Sequence, residues 1–150
     1  MLRQQLKSKI HLACLTDANL EYEGSITVPR DVMEAVGLWP GEKVLVVDRD
    51  NGERLETYVQ PGPAGSGRFV MNGAAARRVH VGDRVTLMAF GLSEKPIAAH
   101  KVLLNERNEI VRTVEGVEQP VMLPPDFPFD AGDPGSAGRR ERRRAAPPSD

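Results

Sequence analysis

Four short stretches hold the residues whose types and spacing point to chemistry. In "LEYEGSITVPRD", residues 20–31, two polar, strand-friendly segments meet at Gly24-Ser25. That pair is more usual in a turn, so it is either a bend or a bond at which something happens. "KSKIH" sets Lys9 and His11 on one side of a strand, and "RLETY" sets Arg54, Thr57 and Tyr58 on another. "NGAAA", residues 72–76, follows a strand with small residues only. Glycine and alanine let a ligand come close to the backbone, and consecutive N–H groups at a helix start bind anions. Each stretch also has an ordinary reading: solvated charges for Lys9 and Arg54, a core or rim position for Tyr58, a plain helix start for "NGAAA".

The elements that must position these residues read as mostly β from residue 1 to about 116. "KIHLACLT" alternates, with Ile10, Leu12 and Cys14 on one face and Lys9, His11 and Ala13 on the other. "KVLVVDRDNGERLETYVQ" is a hairpin turning at Asp50-Asn51-Gly52. "RFVM" and "RVTLMAF" are further strands, and "HKVLL" and "EIVRTV" pair around "NERN". The one clear helix is "RDVMEAVG", with Pro29 at its first turn and Gly37 closing it. An internal echo joins "VGLWPGEKVLVV" (36–47) to "RRVHVGDRVTLM" (77–88), each running through Gly, an acid, a base and Val into a strand. Two such copies suit a duplicated unit closed into a small barrel, which removes exposed sheet edges.

Composition narrows the classes. A chain of 150 residues suits one domain with a tail and can bury a core without disulfides. Net charge −1 argues for neither nucleic acid nor membrane as the main partner. The single cysteine, Cys14, allows no internal disulfide and fits a reducing, cytoplasmic setting. No stretch approaches the roughly 20 apolar residues of a membrane helix, and no apolar run follows the basic "MLRQQLKSKIH", so it reads as no secretory signal. From Pro124 on, six prolines and three glycines in 27 residues predict a disordered tail. Its "RRERRR" run suits contact with nucleic acid or an acidic partner, but the charge pattern favours a solvated tail. The domain is expected over 1–116, with 117–150 as an extended segment and tail.

Taken together, "LKSKIH", "YEGSITV", "DNGERLETY" and "NGAAA", in this order and spacing, resemble the pyruvoyl-dependent aspartate 1-decarboxylase family over residues 1 to about 91. The resemblance implies a mainly β fold, a double-psi β-barrel with short helices. It implies a homotetramer with active sites between subunits, and conversion of L-aspartate to β-alanine and carbon dioxide, a step toward pantothenate. It also implies that the precursor is cut between Gly24 and Ser25. The Ser25 hydroxyl attacks the Gly24 carbonyl, the resulting ester eliminates to dehydroalanine, and hydrolysis leaves a pyruvoyl group. That ketone takes the substrate amine as a Schiff base and acts as the electron sink, with no metal and no pyridoxal phosphate. Residue by residue, the resemblance makes Thr57 the group that stabilises the Gly24 carbonyl during processing and Arg54 the carboxylate binder. Lys9 adds positive charge, and Tyr58 is the proton donor. Thr57 also touches the substrate, Asn72, Gly73, Ala74 and Ala75 line it, and His11 and Tyr22 shape the site. The "GLSEKPIAAHKVLLNERNEIV" segment and the arginine-bearing tail depart from the family pattern.

A rival resemblance covers "GSITVPRDVMEAVGLWPGEKVLVV", which is similar to swapped-hairpin DNA-binding regulators, but it leaves "LETY", "NGAAA" and most of the chain unexplained. A catalytically dead scaffold barrel is a third reading, opposed by the presence of every site residue named above.

Overall fold

The computed structural model describes residues 1–114. The predicted segment 117–150, with its tail from 124, lies outside the described residues. The strands are β1 (Arg3–Cys14), β2 (Asp17–Asn19), β3 (Ser25–Pro29), β4 (Lys43–Asp48), β5 (Arg54–Gly62), β6 (Val70–Asn72), β7 (Arg84–Ser93), β8 (His100–Leu104) and β9 (Ile110–Val114). A short helix, α1 (Arg30–Ala35), follows β3, and a 3-10 helix (Gly73–Arg77) follows β6. Among the described residues no helix is long and apolar enough to cross a membrane.

The pairing closes a ring. β1 is antiparallel to β7, β7 to β4, and β4 to β5. β5 runs parallel to β3, β3 is antiparallel to β6, and β6 is parallel to β2. β2 continues β1 after two residues, and both keep bonding across the joint: Leu15 N donates to Asp83 O and Thr16 N to Phe69 O, each at 2.9 Å. β8 and β9 extend the sheet outside β1. The ring is twofold in plan. The parallel pair β3–β5 answers β6–β2, and the antiparallel pair β5–β4 answers β1–β7, so two β-β-helix-β halves interlock as a double-psi barrel.

The echo seen in the sequence is a repeated turn. Glu42 N donates to Trp39 O and Asp83 N to His80 O, both at 3.0 Å. In each turn the acid accepts from the residue three before it: Trp39 N to Glu42 Oε2 and His80 N to Asp83 Oδ2, both 2.8 Å. Gly41 (φ +81°) and Gly82 (φ +95°) then donate to Val59 O and Leu15 O, both at 2.8 Å. A side chain would strain both glycines at that φ. The same four-residue device thus ties each half to the first strand of the other.

Ile10, Ile26, Val46, Val59, Phe69 and Leu87 fill the centre and are fully buried. Each such side chain contributes roughly 1.5–3 kcal/mol relative to exposure. One part of the predicted pattern is corrected here. β1 shifts register between Ile10 and Ala13, with Leu12 at φ +61°. One extra residue reverses the side-chain phase, so Ala13 and Leu15 join Ile10 in the core while Leu12 and Cys14 sit half-buried. Asn108 holds the shifted chain: its Oδ1 accepts from Cys14 N at 2.7 Å and its Nδ2 donates to Cys14 O at 2.8 Å. Arg84 Nε donates to Leu12 O at 2.9 Å.

The helix is also shorter than its sequence suggests. α1 ends at Ala35, Pro29 is the N-cap rather than a first-turn residue, and Gly37 (φ +67°) lies just past the end. Its trailing carbonyls are satisfied from β1, by Ser8 Oγ on Val36 O at 2.6 Å and Lys7 Nζ on Gly37 O at 2.9 Å. At the end of β4, Asp48 is buried. Burial first, and then the Asp83 carboxylate beside it, push its carboxyl up to about 6.

Candidate active site

Ser25 opens β3 and is 1% exposed. Ile26 and Val28 turn inward to the core, so Ser25 and Thr27 share the outer face of the strand. Ser25 pairs with Asn72 across the antiparallel β3–β6 ladder. The Asn72 amide lies between the two hydroxyls: Nδ2 donates to Ser25 Oγ at 3.0 Å and to Thr27 Oγ1 at 3.1 Å. Asn72 stands at the N-cap of the 3-10 helix, where asparagine ordinarily bonds the helix backbone. Here it makes no such cap and directs its amide at Ser25 instead.

Gly73 completes the cradle. Its φ is +73°, and a Cβ there would stand 2.8 Å from Gly24 Cα, 2.9 Å from Gly24 N and 3.1 Å from Tyr22 O. Both the backbone angle and the close approach require glycine. The packing fixes the Tyr22–Gly24 segment against the start of the 3-10 helix, although the Tyr22 side chain itself is exposed. Ala74 is exposed and Ala75 half-buried on the 3-10 helix. Among the described residues no imidazole or carboxylate bonds Ser25 Oγ, so a Ser-His-acid relay is not what this arrangement offers. It offers a water-excluded hydroxyl, an amide orienting it, and a glycine carbonyl next in the chain.

β5 runs alongside β3. Ile26 is level with Val59, so continuing the register sets Ser25 level with Tyr58 and Gly24 level with Thr57. Along β5, Leu55, Thr57 and Val59 are more buried, and Arg54, Glu56 and Tyr58 less. Arg54 and Tyr58 therefore share the outer face with Ser25, and Thr57 takes the other. The β4–β5 register is unbroken from Arg54 to Tyr58, with no bulge. Arg54 Nη1 donates to Gly52 O at 2.9 Å.

Lys9 and His11 are not brought to Ser25 within one chain. They sit on β1, where Lys9 is flanked by Met88 and Lys101. The His11 ring meets Thr86 Oγ1 through Nδ1 at 3.1 Å. Burial, then the Lys9 and Arg84 charges, hold the His11 pKa below its ordinary value. Sequence reasoning missed Thr27, which shares the Asn72 amide. Its signal was present, because a residue two after Ser25 on a strand must share its face.

Fold and site together define the class: a small duplicated β-barrel protein that presents a buried Gly-Ser serine on an amide donor outside its core. A sequence model of the aspartate decarboxylase family matches residues 1–111. The chain is 51% identical over 112 residues to the aspartate 1-decarboxylase of Thermotoga sp. (strain RQ2), covering 75% of this chain and 98% of that protein. It is 49% identical over 123 residues to the aspartate 1-decarboxylase of a Neisseria meningitidis serogroup C strain, covering 80% and 97%. A rationally designed protein, mkDPBB_sym_86, superposes with a TM-score of 0.40 at 19% identity, over 51% of this chain and 90% of that one. At that score it carries no argument, and the barrel rests on the pairing described above. The chain belongs to the aspartate decarboxylase family. The stretch similar to swapped-hairpin regulators is β3–α1–β4, the β-helix-β part of one of the two symmetric halves of the barrel.

Proposed function

We propose that this protein is a self-processing aspartate 1-decarboxylase, a lyase that converts L-aspartate to β-alanine and carbon dioxide with a pyruvoyl group formed from Ser25. The observation that carries the reading is the Gly24-Ser25 bond, its hydroxyl on the Asn72 amide and its glycine packed on Gly73, in a chain of this family.

In processing, Ser25 Oγ attacks the Gly24 carbonyl carbon, and the acyl group passes from nitrogen to oxygen as an ester; β-elimination then releases Gly24 as a carboxylate and leaves dehydroalanine at 25, which water hydrolyses to the ketone with loss of ammonia. Asn72 Nδ2 orients the hydroxyl. Thr57, level with Gly24, is the oxyanion donor. The residues fit the resulting group: Asn72 holds position 25 through its amide, and the bare Gly73 lets the Gly24 backbone lie against it before the cut. When formed, that ketone supplies the electron sink that no ordinary side chain provides. Arg54 binds a substrate carboxylate with its planar fork, and Lys9 adds charge. The Tyr58 hydroxyl gives a proton to the carbon that has lost carbon dioxide. Ala74 and Ala75 line the substrate, while His11 and Tyr22 shape the pocket.

Two features support a homotetramer with sites between subunits: Lys9 and His11 stand apart from Ser25, and Thr57 and Tyr58 face opposite ways. All proposed site residues lie between 9 and 75, and the family match ends at 111, which supports a catalytic domain over 1–116. The single cysteine supports a cytoplasmic setting.

Two expected outcomes arise directly. Gly73→Ala drives a Cβ into Gly24 at a φ that alanine resists, so chain cleavage should fall by about tenfold or more while the barrel persists. Intact mass after timed incubation reads the fraction cut, and wild-type cleavage in the variant would refute the cradle. On substrate, the processed protein should release carbon dioxide from L-aspartate and not from L-alanine. Arg54→Lys, keeping charge without the fork, should lose about tenfold to a hundredfold. Equal turnover of the two amino acids by the wild type would overturn the substrate assignment.

A further inference from the structure

Away from Ser25, three carboxylates converge where the two halves of the barrel meet. Asp48 ends β4, Asp50 lies in the β4–β5 turn, and Asp83 belongs to the repeated turn before β7. One oxygen from each lies within 4.8 Å of the others. Backbone N–H groups hold all three carboxylates in place: Asp50 N on Asp48 Oδ1 at 2.8 Å, His80 N on Asp83 Oδ2 at 2.8 Å, and Arg84 N on Asp50 Oδ2 at 2.7 Å. Each carboxylate thus keeps a second oxygen. That of Asp50 meets only the exposed Arg49 guanidinium, at 3.3 Å.

Asp48 supplies the independent observation. It is 1% exposed, and its Oδ2 is buried with no hydrogen-bond partner. A buried carboxylate oxygen without a donor is unfavourable, and two neighbouring carboxylates make it more so. The nearby cations do not relieve it. The Arg84 guanidinium is turned to Leu12 O and Leu104 O, Arg49 pairs with Asp50, and the exposed His80 ring stands 3.8 Å from Asp83 Oδ2. We propose that Asp48, Asp50 and Asp83 form a binding site for a hard divalent cation of the calcium or magnesium class. The donors are all oxygen, which excludes the preferences of softer metals. Their irregular spacing, with one ligand on an exposed turn, suits the flexible coordination of calcium better than the strict octahedron of magnesium.

The test uses the full chain, stripped with EDTA and titrated calorimetrically with calcium chloride and with magnesium chloride at pH 7.5. One saturable site per chain is expected, with a Kd on the order of a millimolar or tighter for calcium. Saturation should raise the unfolding midpoint. Asp83→Asn and Asp50→Asn should each weaken binding about tenfold or more. Asparagine keeps an acceptor for the backbone N–H at both positions, and Asp50 is on the surface, so that variant folds. Glu109→Gln, on the exposed β8–β9 turn, should bind as wild type does. The proposal is overturned if neither cation shows a saturable site up to about 10 mM, which would leave a proton shared between Asp48 and Asp83. Unchanged binding in both asparagine variants would overturn it equally.

Discussion

Ser25→Ala should remain one chain of 150 residues, where the wild type should separate into pieces of 24 and 126 residues. The substitution removes one oxygen from a fully buried position and changes little else. The Asn72 amide loses one of its two acceptors but keeps Thr27 Oγ1 at 3.1 Å. Stability should fall by about 1 kcal/mol or somewhat more, the cost of a weakened buried donor, and the barrel, fixed by its closed ring of strands, should hold. Cleavage should vanish outright, because no other hydroxyl is covalently placed to take the Gly24 acyl group. Carbon dioxide release from L-aspartate should vanish with it, since the ketone arises only from the cut. Denaturing mass spectrometry gives the chain length, and an unfolding curve shows that the variant is folded. Cleavage at 24/25 in folded Ser25→Ala would mean that an outside protease cuts the chain, and the proposed chemistry would fall. A variant that stays whole yet decarboxylates would sever the pyruvoyl group from the activity.

How far the sequence alone reached depends on the range of the interaction. The hairpin at Asp50-Asn51-Gly52 was legible because the turn is local: Gly52 takes φ +74°, and the residues that tolerate such angles are few. The 39–42 and 80–83 turns were legible as an echo for the same reason, since each acid caps the residue three before it. The bulge at Leu12 was not. A leucine at positive φ is an unfavourable local choice, enforced from 94 residues away by Asn108 on Cys14 and from 72 residues away by Arg84 on the Leu12 carbonyl. Strict alternation therefore put Leu12 and Cys14 on one face with Ile10, and Ala13 on the other. The joint between β1 and β2 was also invisible, because parallel pairing with β6 leaves no short-range trace. At the site, motifs delivered Gly24, Ser25, Asn72 and Gly73, which the fold does bring together. Motifs also delivered Lys9 and His11, which the fold of one chain does not join to them, since an order of residues along a chain carries no information about which strands come to lie side by side.

The adjacent pair Thr57 and Tyr58 gives the second large effect, because one strand should separate two chemistries. Side chains of neighbouring residues on a strand point to opposite faces unless a bulge intervenes. The unbroken β4–β5 register shows none. Thr57 is therefore level with Gly24 on one face, and Tyr58 is level with Ser25 on the other. With no irregularity to rotate one toward the other, an assembly in which subunits complete each other's sites accommodates both. Their variants should fail at different stages. Thr57→Val keeps the shape and loses the hydroxyl, so formation of the pyruvoyl group should slow by on the order of a hundredfold or more, the usual worth of one oxyanion donor. The fraction of Thr57→Val that does cut should retain much of its turnover. Tyr58→Phe loses only the phenolic hydroxyl, so it should cut as the wild type does and bind L-aspartate. Its turnover should drop by roughly a hundred- to ten-thousandfold, the range expected for a positioned general acid. Two assays on each variant separate these outcomes: the fraction cut, by mass, and carbon dioxide released per cut chain. If Tyr58→Phe both cuts and decarboxylates like the wild type, the proton must come from water or another group. If Thr57→Val cuts at the wild-type rate, stabilisation of the Gly24 carbonyl must be reassigned, with the Asn72 amide the first group to examine by Asn72→Ala.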